Sequence, residues 1–194
     1  MISVTLGKMV SLCYNISIMK NYIVFDLEWN QSANGKERSI PHFPFEIIEI
    51  GAVKLNETFQ MVDEFHRLIR PQVYTQMHHA ISEVTHMDMK ELRNSGELFP
   101  DAAADFLSWC GGDAVFCTWG NMDLLELQRN MDYYHMDNPF PKPLFYYDVQ
   151  KLYGLFCREN ARISLDSAVE EQSLLENRPF HRALDDAYYT GKLL

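Results

Sequence analysis

The chain has no CxxC pair and no cysteine spacing of the metal-finger kind. Its four cysteines, Cys13, Cys110, Cys117 and Cys157, stand singly. They read as free, mostly buried thiols of a reducing compartment, the cytoplasm. No apolar run is long enough to span a bilayer, so no membrane role is expected. Internal repeats and low-complexity tracts are absent too. Positive charge is scarce: 17 Lys and Arg stand against 27 Asp and Glu, for a formal net charge of -10. Most non-specific affinity for nucleic acid comes from neutralised phosphates, so this balance argues against a protein that coats long duplexes. It leaves room for an enzyme that grips one strand end through bound cations, which reverse the local sign.

What is present is a chain of 194 residues, 47% hydrophobic and 23% charged. That suits one globular domain with a substantial core. Residues 1–18 read as an N-terminal extension and residues 19–194 as the domain. Met19 lies immediately before the first strand, and the alternative, a signal peptide, lacks a small-residue cleavage site.

Tyr22 to Trp29 reads as a strand of aromatic and β-branched residues that ends in acids. Residues 30–44 form a loop rich in Asn, Ser, Gly and Pro, long enough for a site rim. Residues 45–55 and 58–70 read as a hairpin, in which Gly51 would permit a bulge or a close backbone approach. Short helical pieces follow Pro71. Residues 99–111 predict a helix with Pro100 at its start and two glycines after its end. Residues 113–119 predict a buried strand, and 121–135 an amphipathic helix. "LFYYDV" reads as a short strand leading into "VQKLYGLFCREN". Ser164 reads as the N-cap of "LDSAVEEQ". A last helix is expected from about Phe180 to the end; the sequence leaves open whether the C-terminus is trimmed. The alternation predicts one α/β domain with a mixed sheet.

Asp26 and Glu28 carry the first chemical signal. Strand side chains alternate, so both point to one face. Two like charges so close in a dry setting destabilise each other, and a divalent cation resolves the conflict. Hard oxygen ligands suit Mg²⁺ or Mn²⁺. A solvated strand end would explain the pair as well. Asp123 falls in the first turn of a helix after a buried strand, where the helix dipole alone favours an acid. In "HRALDDA", Asp185 and Asp186 follow His181 by four and five residues, on neighbouring turns of the expected helix. A polar helix face is the plain alternative there. Each plain reading stands alone; their conjunction, in this order and on these elements, points to a metal site.

The set resembles the DEDDh-type, DnaQ-like 3′→5′ exonucleases of the ribonuclease H-like fold. The first motif of that family, D-x-E, matches Asp26-Leu27-Glu28. The second, an aspartate at a helix start, matches Asp123 in "WGNMD". The third, H-x-A-x-x-D, matches His181, Ala183 and Asp186, which ranks Asp186 above Asp185. "EIIEIGAVKL" is similar to the family's second strand. "WGNMD", "FYYDV" and "RPFHRALDDA" are closest to the branch that holds KapD and the animal histone-mRNA 3′-exonuclease. One departure stands out. Many members carry L-T-G-[IL] where this chain has Val84 to Met87, "VTHM".

The resemblance implies a ribonuclease H-like mixed five-stranded sheet flanked by helices. It implies metal-dependent removal of nucleoside 5′-monophosphates from the 3′-OH end of single-stranded nucleic acid, RNA in this branch. Two Mg²⁺ or Mn²⁺ ions, held by Asp26, Glu28, Asp123 and Asp186, would activate the attacking water and stabilise the leaving 3′ oxygen. His181 would be the general base. Leu27, Trp29 and Met87 would contact the terminal nucleotide, although Trp29 reads equally as a rim aromatic packed on the following loop. Glu46 and Glu49, three apart on the second strand, read as oppositely oriented, with a surface position favoured over support of the site. Lys36, Arg38, Arg178 and Arg182 read as solvated cations or phosphate contacts. Two other functions remain open at this stage: a non-catalytic nucleic-acid-binding module of the same fold, and a DNA-directed proofreading exonuclease.

Overall fold

The computed structural model describes residues 21–35, 38–157 and 163–194. The expected extension at residues 1–18, Cys13 and Lys36 lie outside them. The strands are β1 (Asn21–Asn30), β2 (Glu46–Leu55), β3 (Met61–Leu68), β4 (Ala114–Thr118) and β5 (Tyr146–Asp148). The helices are α1 (His79–Thr85), α2 (Met89–Ser95), α3 (Phe99–Cys110), α4 (Met122–Tyr133), α5 (Val149–Cys157), α6 (Leu165–Glu171) and α7 (Ala183–Leu193). The sheet order is β3-β2-β1-β4-β5. β1, β2 and β3 pair antiparallel; β4 runs parallel to β1, and β5 parallel to β4. This is the mixed five-stranded sheet flanked by helices that the resemblance implies.

Alternation along β1 divides the core. Ile23, Phe25 and Leu27 pack with Phe106 of α3 and Leu124, Leu127 and Met131 of α4. Val24 packs on the other side with Val53, Leu55, Cys117 and Val149, beside Leu184 of α7. Both sheet faces are therefore covered, which is why β2 is buried along nearly its whole length.

Two local features aim the sheet at a site. β4 pairs with β1 only from Asn21 to Val24, yet β1 runs on to Asn30. The outer half of β1 therefore has a free side, and α4 enters there after a turn at Gly120, whose φ is 97°. Just beyond Glu28 the β1–β2 register shifts, setting Glu28 opposite Glu49 and Trp29 opposite Ile47. A bulge at this place re-aims side chains beside the site. It also sets Glu46 opposite Asn30, so alternation counted along β2 alone does not assign faces to Glu46 and Glu49.

The last helix departs from expectation. It begins at Ala183, with Arg182 as its N-cap, and not near Phe180. His181 has φ 65°, a left-handed conformation that cannot continue a helix. His181 and Asp186 therefore belong to a turn and the helix that follows it. Ser164 does precede α6 as its N-cap.

Candidate active site

β1 presents Asp26 and Glu28 towards α7, and α7 presents Asp186 back to them. Carboxylate oxygens of these three residues lie within 4.8 Å of one another, close enough for one cation to be shared. Close approach of α7 to the sheet requires Gly51, which pairs with Asp26. A Cβ at Gly51 would collide with the backbone of Ala183 and Leu184. The expected close approach is thus realised against α7.

Asp123 comes from the free side of β1. Its Oδ1 accepts the Leu27 N–H at 3.2 Å, and its side chain is buried. The donor that β4 leaves unpaired therefore holds the second-motif acid in place. Glu126, fully buried one turn later, pairs with Arg129.

Burial and crowding raise the acids together. Burial first, then the charges of Asp123, Asp186, Glu28 and Glu49, push Asp26 well above the usual carboxylate range. Burial, then Asp186, Glu49 and Asp123, push Glu28 up to about 8, although Arg182 opposes the shift. Burial pushes Asp123 up to about 7 against the bonds to its carboxylate, and Glu126 adds to the rise. Asp186 is pushed up to about 7 by burial and by the charges of Asp185, Asp123 and Glu49. Asp26, Glu28 and Asp186, crowded and resisting ionisation together, form a donor set that fits a hard divalent cation, whose charge would remove the conflict; Asp123 lies beside that set but outside the group within 4.8 Å.

His181 is exposed at the rim, and its backbone N–H donates to the Asp186 carboxylate at 3.2 Å. Its left-handed turn thus couples the histidine and the acid through the main chain. Asp185 pairs instead with Arg178 at 3.0 Å, in keeping with the ranking of the two acids.

Of the three residues expected to touch substrate, two are buried away from the acids. Leu27 is only 3% exposed and lies in the core, because alternation turns it away from Asp26 and Glu28. Trp29 lies on that side too, half-buried, with its ring 5.5 Å from Phe45. Met87 is fully buried with Ile48 and Leu92, because left-handed His86, at φ 56°, turns the chain inward. As the structure stands, Leu27 and Met87 offer a nucleotide no apolar surface, so that expectation is corrected for both.

Neither Glu46 nor Glu49 is a surface residue; both are buried. Glu46 accepts the N–H groups of Gln72, Val73 and Tyr74 and the Tyr134 hydroxyl, which closes the segment after β3. Glu49 binds Arg182, His66 and the Ala183 N–H. Arg182 is therefore held by Glu49 and is not a solvated cation. Buried Asn30 was missed in the sequence. It donates to Tyr74 and Gln76 carbonyls and accepts the His78 N–H, fixing the segment beside the strand end. One signal was available for Glu49: an acid set inside a run of isoleucines, Ile47, Ile48 and Ile50.

A family model described as Exonuclease, of the RNase T type, matches residues 23–194. The chain belongs to that family, and its acids and histidine follow the DEDDh pattern of the 3′→5′ exonucleases. It is 28% identical over 181 residues to the probable 3′-5′ exonuclease KapD of Bacillus subtilis (strain 168), a match covering 88% of this chain and 81% of that one. It is 33% identical over 150 residues to the PolC-type DNA polymerase III of Thermotoga petrophila, covering 76% of this chain but 10% of the polymerase. The nuclease domain of 3′hExo, a DEDDh family member bound to rAMP, shares the fold with a TM-score of 0.73 at 24% identity, covering 91% of this chain and 90% of that domain. The exonuclease I–ssDNA complex of E. coli shares it with a TM-score of 0.72 at 14% identity, over 90% of this chain and 39% of that one. No helix among the described residues is long and apolar enough to cross a membrane.

Proposed function

We propose that the protein trims single-stranded RNA from its 3′-OH end and releases nucleoside 5′-monophosphates. The convergence of Asp26, Glu28 and Asp186 within 4.8 Å, with Asp123 buried alongside, carries this reading. The four acids would hold Mg²⁺ or Mn²⁺. When bound, such ions supply the charge that activates a water and stabilises the leaving oxygen. His181, exposed at the rim, takes the proton from that water. Asp186 holds the His181 backbone and so keeps the base beside the acids. Asp123 ties the free side of β1 to the start of α4 through its Oδ1.

A formal net charge of -10 favours one strand end over a duplex. Duplex ends resist because the terminal base must leave its partner, at a cost of a few kcal/mol. The sequence cues to the RNA-trimming branch favour RNA, as does the fold likeness to a nuclease domain bound to rAMP. Cys110 and Cys117 are buried free thiols that burial pushes up to about 12, in keeping with a reducing compartment such as the cytoplasm.

The test is a gel ladder in Mn²⁺ with four substrates at equal concentration. They are single-stranded RNA ending in 3′-OH, the same strand with a 3′-phosphate, a blunt duplex and the matching DNA strand. Fast stepwise trimming of the first, slow trimming of the others and loss of activity in EDTA are expected. Cleavage of a circular strand would overturn the exonuclease reading, and equal rates on DNA would overturn the RNA preference.

A further inference from the structure

Glu49 is a fifth carboxylate at the acid cluster. It stands directly opposite Glu28 in the β1–β2 ladder, so both face α7, and its side chain is 1% exposed. Its charge is felt at Asp26, Glu28 and Asp186. It stands beside the three acids that could share a cation but is not one of them, and its oxygens are engaged elsewhere. Oε1 accepts from His66 Nε2 at 2.7 Å and from Arg182 Nη2 at 2.8 Å. Oε2 accepts from Arg182 Nε at 3.2 Å and from the Ala183 backbone N–H at 3.0 Å. Burial alone would raise this carboxyl, yet the bonds from His66, Arg182 and Ala183 outweigh it and hold Glu49 below the usual range.

The partners matter for where they sit. Arg182 is the N-cap of α7 and Ala183 its first residue. His181 comes immediately before, and Asp186 is one turn on. One carboxylate on β2 therefore grips the start of the element that carries both a cluster acid and the general base. Arg182 also places a positive charge where Glu28 feels it.

We propose that Glu49 and Arg182 form a positioning pair, which fixes His181 and Asp186 through the start of α7 and whose opposed charges set how tightly the acid cluster holds a divalent cation. The proposal rests on the metal-dependent reading given above. Neither residue touches the reacting phosphate. The bidentate fork of an arginine suits the task, because it engages both oxygens at once and so withholds them from a cation.

A purely structural pair and a charge-setting pair respond differently to substitution. Glu49→Gln leaves the Arg182 charge unopposed beside the acids and weakens cation binding. Arg182→Met leaves the Glu49 charge unopposed and strengthens it. The shifts in the Mn²⁺ dissociation constant should be about three- to tenfold and opposite in sign, as expected for one charge beside a partly solvated site of high effective dielectric. In the double variant the charges cancel again, so affinity returns close to wild type. The anchor is still gone, so kcat stays down by about tenfold to a hundredfold.

The experiment is a calorimetric titration of the full chain with Mn²⁺ alone, with kcat on single-stranded RNA measured in parallel. Opposite shifts in the single variants support the proposal. Should either single variant fail to fold, near-native Mn²⁺ affinity with reduced kcat in the double variant supports it. Shifts of the same sign, no shifts, or wild-type kcat in the double variant overturn it. Absence of Mn²⁺ uptake by the wild type overturns the metal-site reading itself and is distinguished by that control.

Discussion

Gly51 of β2 lies against the backbone of Leu184 in α7 with no room for a side chain between them. Main chain meets main chain there, so no flexible group can move aside. Gly51→Ala must push α7 off the sheet. Forced overpacking of this kind costs about 1–3 kcal/mol or more. Urea unfolding should report a loss at the upper end of that range. Activity should fall further than stability, because Asp186 rides on α7 over Asp26. A variant with native activity and native midpoint would show that α7 can shift without disturbing the acids.

Asp123→Asn separates charge from shape. The amide keeps an oxygen for the Leu27 N–H, so the tie between β1 and α4 survives. It removes a carboxyl that burial already makes reluctant to ionise. Melting in EDTA should be unchanged or slightly higher than wild type. Turnover should be lost, and the rise in melting temperature on adding Mn²⁺ should shrink. Wild-type turnover in this variant would remove Asp123 from the site.

His181→Ala should leave the acids in place, because the hydrogen bond to Asp186 is made by the backbone. Loss of a general base typically costs about 10²–10⁴-fold in rate. Single-turnover rates on RNA should fall by that factor, while the calorimetric Mn²⁺ titration stays as in wild type. Equal rates near neutral pH would assign the proton transfer elsewhere.

The acids were legible in the sequence because strand alternation and helix starts are local rules. Asp26 and Glu28 share a face for a reason visible in three letters. The hairpin of β2 and β3 and the close approach at Gly51 were legible for the same reason. Other features depend on long-range geometry and were not. The bulge beyond Glu28 reset the pairing of Glu46, and packing on both faces of the sheet buries Glu46 and Glu49 alike. The left-handed turn at His181 delayed the start of α7, and no propensity of the local residues announced it. Met87 resembled a base-contacting residue by motif alignment, yet the turn at His86 sends it into the core. Arg182 read as a free cation, because its partner lies far away on β2.

The raised carboxyls predict how stability follows pH and how a cation changes it. Glu28 is pushed up to about 8, and Asp123 and Asp186 up to about 7. Each keeps its proton in the folded protein at a pH where the unfolded chain has lost it. Between the ordinary carboxylate range and pH 8 the folded state therefore binds more protons than the unfolded state. Stability from these groups is full below the ordinary carboxylate range and is lost as pH rises through 7 and 8. Glu49 is held below the usual range and contributes with the opposite sign, at acid pH. In EDTA the melting temperature should fall as pH is raised from 5.5 to 8.5. A divalent cation binds the ionised acids, so its stabilisation should grow over the same interval. The measurement is a set of melts at half-unit pH steps, with EDTA and with Mn²⁺, and the two curves should diverge as pH rises. Parallel curves would mean that the cation binds somewhere other than these acids.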